Sequence, residues 1–185
     1  MCSASQTEAP PCTPPPLRRV GLALGANLGD RLRTLESACD RLCAELCGDG
    51  GEGGLRTSRV YETEPVGCPA GSPAYLNACV ELYTALPPQE TLARCLRIEA
   101  ELGRRRSGAY GEPRSCDIDL LYHGETELHT PELTLPHPRA HLRRFVLQPL
   151  CDIDPTLVLP GQRLSVAELL AQLPPGPGVE PYREM

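Results

Sequence analysis

Lysine is missing from this chain: all 18 of its Lys+Arg residues are arginine. Its absence excludes the Walker A loop and the strand lysine of protein kinases, two common grips on a nucleotide's phosphates. Tryptophan is also absent, and phenylalanine occurs once, as Phe145. No apolar run approaches the ~20 residues that span a bilayer. Met1 to Pro16 lack the basic start and apolar middle of a secretory signal. The 10 cysteines include no Cys-x-x-Cys pair, the usual spacing of a zinc site. A disulfide framework needs an oxidising compartment, toward which no signal points. Free thiols used as small apolar residues are therefore expected, with Cys39, Cys43 and Cys47 on one helix face. A cytoplasmic location and no membrane partner follow as expectations.

Composition otherwise describes an ordinary globular protein of 185 residues, 41% hydrophobic and 23% charged. The net charge of -6 argues against general nucleic-acid binding. Any phosphate chemistry must rest on arginine and metal. The arginines cluster at Arg104-Arg105-Arg106, at Arg114 and at Arg139, Arg143 and Arg144.

Along the chain, helical and strand patterns mix without a regular βα repeat. Arg19 to Leu24 reads as a strand entering a turn at Gly25-Ala26-Asn27. Apolar residues from Leu32 to Leu46 keep helical spacing, and a Gly-rich stretch follows. Leu55 to Thr63 reads as one strand. A Pro/Gly loop from Glu64 to Pro73 is long enough to hint at binding. In the strand from Tyr75 to Thr84, Leu76, Ala78, Val80 and Leu82 oppose Tyr75, Asn77, Cys79 and Glu81. A helix is expected from Pro88 to Leu102, stopped by Gly103, then a loop over Ser107 to Pro113. Cys116 to Tyr122 reads as a strand and Arg139 to Leu150 as a helix. Ser165-Val166-Ala167-Glu168 is a capping box opening a last short helix. The class is α+β, a mostly antiparallel sheet covered by helices. One domain over 18–173 is expected, with a disordered tail over 1–17 and a flexible one over 174–185.

Four patterns can carry chemistry. Asp117 and Asp119 alternate with Ile118 and Leu120, so both carboxylates share a strand face, their Cα atoms ~6.5 Å apart. That separation suits a pair of metal ions ~3.5–4 Å apart, Mg²⁺ by donor type. Spacing alone fits a solvent-facing strand with two charges equally well. Arg104, Arg106 and Arg114 flank a glycine-containing loop and suit phosphate oxygens, as they suit a solvated basic loop. Tyr75 and Asn77 offer an aromatic ring and an amide on one face, the means to stack on a flat heterocycle or simply a half-buried pair. His137 lies between Pro136 and Pro138, and Phe145 follows Arg143 and Arg144; a surface histidine and a core phenylalanine are the plainer readings.

In order and spacing these stretches resemble the 6-hydroxymethyl-7,8-dihydropterin pyrophosphokinase family. The likeness runs from Val20 to about Pro160. It takes in Leu24 to Asp30, Tyr61 to Gly67, Tyr75-Leu76-Asn77, Ile98-Glu99 through Arg106, Arg114 to Asp119, and Leu135 to Arg139 with Arg143-Arg144-Phe145. The resemblance implies a ferredoxin-like fold with helices and sheet in an αβα arrangement. It implies transfer of diphosphate from ATP to the pterin, releasing AMP, in folate biosynthesis. By the same resemblance Asp117 and Asp119 hold two Mg²⁺ ions. Thr63, Val66, Tyr75, Asn77 and Phe145 meet the pterin; Glu99, Arg106, His137 and Arg143 meet ATP; Arg104 and Arg114 are catalytic. A stand-alone monomer is expected. Two rivals stand beside this reading: a two-metal phosphodiesterase, which would want more His and Asp ligands, and a non-catalytic paralogue, which would be expected to have lost an aspartate or arginine.

Overall fold

The computed structural model describes residues 15–47, 54–65, 71–104, 115–174, 176 and 178–183. Val66, Arg106 and Arg114, and most of the two loops that carry them, lie outside the described residues.

Strand β1 (Arg18–Ala26) leads into helix α1 (Arg31–Leu46). Asp30 caps that helix, accepting from the Arg33 backbone N–H at 3.1 Å. Strands β2 (Arg56–Thr57), β3 (Tyr61–Thr63) and β4 (Tyr75–Thr84) follow, then helix α2 (Pro88–Glu101). Proline opens α2, where a missing N–H costs nothing. Gly103 terminates it at φ 87°, a left-handed conformation that side-chain-bearing residues resist. Strand β5 (Asp117–His123) returns to the sheet, and β6 (Leu128–His129) pairs with β7 (Thr134–Leu135). A single 3-10 turn (Ala140–Leu142) precedes helix α3 (Arg144–Ile153), then α4 (Val166–Gln172) and strand β8 (Val179–Pro181).

The main sheet runs β5-β1-β4-β3-β8, with β2 also paired to β4, and every pairing in it is antiparallel. The expected alternation in β4 holds. Leu76, Ala78, Val80 and Leu82 join Leu22, Leu24, Ile118 and Leu120 in one buried cluster, completed by Leu35, Leu42 and Ile98 of α1 and α2. Cys79 points the other way, into a second cluster with Leu121, Tyr122 and residues of α3 and α4.

Four local readings change. Gly25 and Ala26 are strand, not turn: both pair with β4, at Asn77 and Leu76. The stretch from Leu55 to Thr63 is two short strands, because the Ser58 hydroxyl accepts the Cys79 backbone N–H at 2.9 Å and displaces a regular ladder bond. Register slips one residue there, from Thr57 opposite Val80 to Tyr61 opposite Asn77. The helix expected from Arg139 starts only at Arg144, since Arg143 is extended (φ -114°, ψ 111°). Finally, within the stretch expected to be a tail, Val179–Pro181 pair with β3, whose outer edge would otherwise be unsatisfied. The capping box stands as read, with Glu168 N–H donating to Ser165 Oγ at 3.3 Å and Ser165 N–H to Glu168 Oε2 at 2.8 Å.

Candidate functional site

The sheet face opposite α1 and α2 changes character at one end. In β4 it presents Tyr75 and Asn77, in β5 Asp117 and Asp119, and in β1 between them only Gly25 and Ala23. Gly25 stands opposite both Asn77 and Asp117; Ala23 stands opposite both Cys79 and Asp119. Neighbouring strands are ~4.8 Å apart, so the side chains of β4 and β5 face each other across a trough ~10 Å wide. A Cβ added at Gly25 would lie 3.2 Å from Asn77 Oδ1 and 3.9 Å from both Asp117 Cβ and Tyr75 Cδ1. Any larger residue would therefore fill the floor. Glycine serves close approach here, a role that the turn-like composition of Gly25-Ala26-Asn27 does not reveal.

On one side of the trough the buried Asn77 amide donates to Thr63 Oγ1 at 2.6 Å. That bond orients the amide and places Thr63 against it. At the entrance, Arg31 donates to the Ala74 carbonyl at 2.9 Å and pairs with Glu62 at 2.8 Å, tying the start of α1 to the approach to β4.

On the other side, Arg104 Nη1 bridges two carboxylates. It donates to Asp117 Oδ1 at 2.6 Å and to Glu99 Oε1. Glu99 is almost wholly buried, at 2% exposure, and its Oε1 also accepts the Ile118 backbone N–H at 2.7 Å. Helix α2, the chain just past its end, and strand β5 are thus joined at one oxygen. Arg143 Nη1 lies 3.5 Å from Asp119 Oδ2, and its guanidinium stands 5.4 Å from the centroid of the Phe145 ring. Phe145 itself packs against the second cluster.

His137 joins this group. Burial lowers its pKa, Arg143 and Arg139 lower it further, and Asp119 opposes them. Its Nδ1 accepts the Arg139 backbone N–H at 3.1 Å, which leaves the proton on Nε2. A neutral imidazole with its proton on Nε2 suits an oxygen acceptor such as phosphate. Cys116 is no nucleophile. Burial first, then Glu99 and Asp117, push its thiol up to about 12.

Among the described residues no group of three or more His, Cys, Asp or Glu could hold a metal ion. Asp117 and Asp119, 22% and 41% exposed, supply two carboxylates on one face. That donor set fits Mg²⁺, which is commonly bound through one or two carboxylates with phosphate oxygens and water completing its shell. It does not fit a closed protein cage. The structure therefore brings together Thr63, Tyr75 and Asn77 across Gly25 from Asp117, and links Asp117 to Arg104 and Glu99. Asp119, Arg143, Phe145 and His137 form the adjoining group. Glu99 is found deeper than an exposed ligand contact, with its carboxylate committed to Arg104 and the strand backbone.

Comparison with known proteins bears first on the fold. A solved structure described as HPPK-DHPS in complex with substrates superposes with a TM-score of 0.66 at 13% identity, over 84% of this chain. The chain spans 43% of that fused protein. At the level of sequence, the model of the 7,8-dihydro-6-hydroxymethylpterin-pyrophosphokinase (HPPK) family matches residues 21–155. A 2-amino-4-hydroxy-6-hydroxymethyldihydropteridine pyrophosphokinase of Methylorubrum extorquens is 39% identical over 167 residues, 89% of this chain and 98% of that protein. A folate synthesis bifunctional protein of Arabidopsis thaliana is 38% identical over 134 residues, 72% of this chain but 26% of its own length. The chain belongs to the 7,8-dihydro-6-hydroxymethylpterin-pyrophosphokinase family.

Proposed function

We propose that this enzyme transfers a diphosphate group from MgATP to the hydroxymethyl group of 6-hydroxymethyl-7,8-dihydropterin, yielding AMP and the pterin diphosphate for folate biosynthesis. The observation that carries the reading is the trough over Gly25. It sets an aromatic–amide pair beside a carboxylate–arginine cluster, the two halves that a flat heterocycle and a polyphosphate require.

The pterin lies between the rings of Tyr75 and Phe145, with the Asn77 amide, Thr63 and the backbone near Val66 at its polar edge. Thr63 acts partly through Asn77, whose amide it orients. The hydroxymethyl oxygen attacks the β-phosphorus of ATP, the β-phosphorus–oxygen bond to AMP breaks, and the hydroxyl proton leaves to solvent. Asp117 and Asp119 would hold two Mg²⁺ ions, which when bound would supply charge neutralisation of the phosphates and a lowered pKa of the attacking hydroxyl. Arg104 and Arg114 offset charge on the transferred group and the leaving AMP. Arg106, His137 and Arg143 hold the ATP phosphates, and Glu99 serves the nucleotide side through Arg104. Catalysis comes mostly from positioning.

The finer structural reading is a ferredoxin-like, αβα arrangement in one domain over 18–173, to whose sheet β8 (Val179–Pro181) adds an edge strand. The order β1-α1-β3-β4-α2-β5 with sheet neighbours β5-β1-β4-β3 supports it. The enzyme acts as a monomer in the cytoplasm; no described helix is long and apolar enough to cross a membrane. Chromatographic analysis of a reaction holding ATP, Mg²⁺ and the pterin tests the reaction. Equal amounts of AMP and pterin diphosphate are expected. ADP as product, or phosphate without AMP, would overturn it.

A further inference from the structure

Both carboxylates of the candidate metal pair are already engaged by arginines. Arg104 donates to Asp117 at 2.6 Å and Arg143 stands 3.5 Å from Asp119. Both arginines also belong to the group read as meeting phosphate. An arginine N–H on a carboxylate oxygen takes a lone pair and a share of the negative charge that a cation would use, so a metal entering alone must compete with that donor. The reverse holds for a nucleotide entering alone, whose phosphates must compete with Asp117 and Asp119 for the arginines.

We propose that Arg104 and Arg143 are place-holders, standing in for the metal on Asp117 and Asp119 until metal and nucleotide arrive together and the partners exchange. This rests on reading Asp117 and Asp119 as metal ligands. In the exchange the aspartates pass to the cation and the arginines to the phosphates, so no charge is left unpaired at any stage. Glu99 is the fixed point. Its buried carboxylate is bound to the Ile118 backbone N–H at 2.7 Å and to the same Arg104 nitrogen that holds Asp117. When Asp117 turns away, Arg104 stays anchored at Glu99 and pivots rather than drifting into solvent. Glu99 is accordingly a positioning residue.

Exchange makes metal and nucleotide cooperative through the protein, beyond their direct attraction, and the coupling is reciprocal. Mn²⁺ binding to the full chain is the test, followed by electron paramagnetic resonance of the free ion, with and without a non-hydrolysable ATP analogue. Arg104→Gln is expected to tighten Mn²⁺ binding without nucleotide by about fivefold or more, and to shrink the gain that the analogue brings. Arg97→Gln, which removes an arginine paired with Glu45, controls for general loss of positive charge. Arg143→Gln repeats the test at Asp119, so a poorly folding Arg104 variant leaves the proposal exposed to refutation. An Arg104→Gln and Arg143→Gln response no larger than that of Arg97→Gln would overturn the exchange. Asp117→Asn separates this from the parent reading: if it binds Mn²⁺ as the unaltered chain does, the metal site itself is wrong.

Discussion

Two arginine–carboxylate clusters lie on the same face of the sheet, and they differ in one respect. At the trough, Asp117 and Asp119 keep 22% and 41% of their surface in contact with solvent. Farther along β4, Glu81 keeps 1%. Its Oε2 accepts from Arg19 Nε at 2.7 Å and from the Tyr122 hydroxyl at 2.8 Å, and its Oε1 from Arg56 at 3.2 Å. Arg19 continues to Asp154 at 2.8 Å, and Arg56 to the Ile153 carbonyl. Beside them Asp152 accepts from Arg59 at 2.7 Å and from the Tyr61 hydroxyl at 2.8 Å. Three arginines from one side of the sheet thereby fasten the end of α3, the helix whose other end carries Phe145. Chemically the clusters are alike. Burial of the Glu81 carboxylate leaves a competitor no path to it, while exposure leaves Asp117 and Asp119 able to trade partners. An ion pair's function is set by access to it as much as by its geometry.

The sharpest way to break the comparison is to remove one carboxylate from each cluster. Asp117→Asn should lower turnover by on the order of a thousandfold, as loss of a principal electrostatic group does, with an unchanged melting temperature. Product formation and thermal melting read the two effects. Glu81→Ala should do the opposite. Leaving two arginines and a tyrosine hydroxyl without their buried acceptor should destabilise the fold by about 3–5 kcal/mol. Denaturant titration measures this, and metal affinity of the folded fraction should be unchanged. A normal Asp117→Asn rate, or an undiminished Glu81→Ala stability, would erase the distinction.

Smaller changes sharpen it. Phe145→Ala should cost about 1–3 kcal/mol of pterin affinity, the range of an aromatic–heterocycle stack, and leave nucleotide affinity nearly as it was; calorimetric titration separates them. Gly25→Ala places a methyl 3.2 Å from Asn77 Oδ1. It should weaken pterin binding about tenfold, typical of a 1–2 kcal/mol steric penalty, with Mn²⁺ binding retained. The smallest effect concerns acid. Hydrogen bonds from Arg19 and then Thr156 hold the Asp154 carboxyl at about 2, below its ordinary 3.8. Burial alone would raise Asp152, but Arg59 and Tyr61 bring it down. A carboxylate depressed in the folded state stabilises fully above about pH 4, and that contribution is lost as pH falls through about 2. Melting temperature should decline over that window, and Asp154→Asn should flatten the decline.

Much of the fold was legible because short-range rules governed it. The period of two in Tyr75 to Thr84 and in Asp117 to Leu120 assigned faces that the buried clusters confirm. The proline start and glycine stop of α2, and the Ser165–Glu168 box, needed only local hydrogen bonding. The errors arose where a distant partner overrode local composition. Gly25-Ala26-Asn27 looks like a turn until β4 and β5 flank it on both sides. Ser58 breaks a strand through a bond to Cys79, 21 residues away. Val179–Pro181 become strand only because β3 offers an open edge.

The sequence by itself determined which residue types are available for the proposed chemistry: a lysine-free chain must handle phosphate with arginine, and alternation puts Asp117 beside Asp119 on one face. Tertiary structure decided which partners those residues hold. The antiparallel register sets Gly25 between Asn77 and Asp117, α2 buries Glu99 behind Arg104, and α3 sets Phe145 beside Arg143. Spacing along a strand follows from the backbone repeat, whereas pairing across strands and helices follows from packing, to which residues far apart in the chain contribute together.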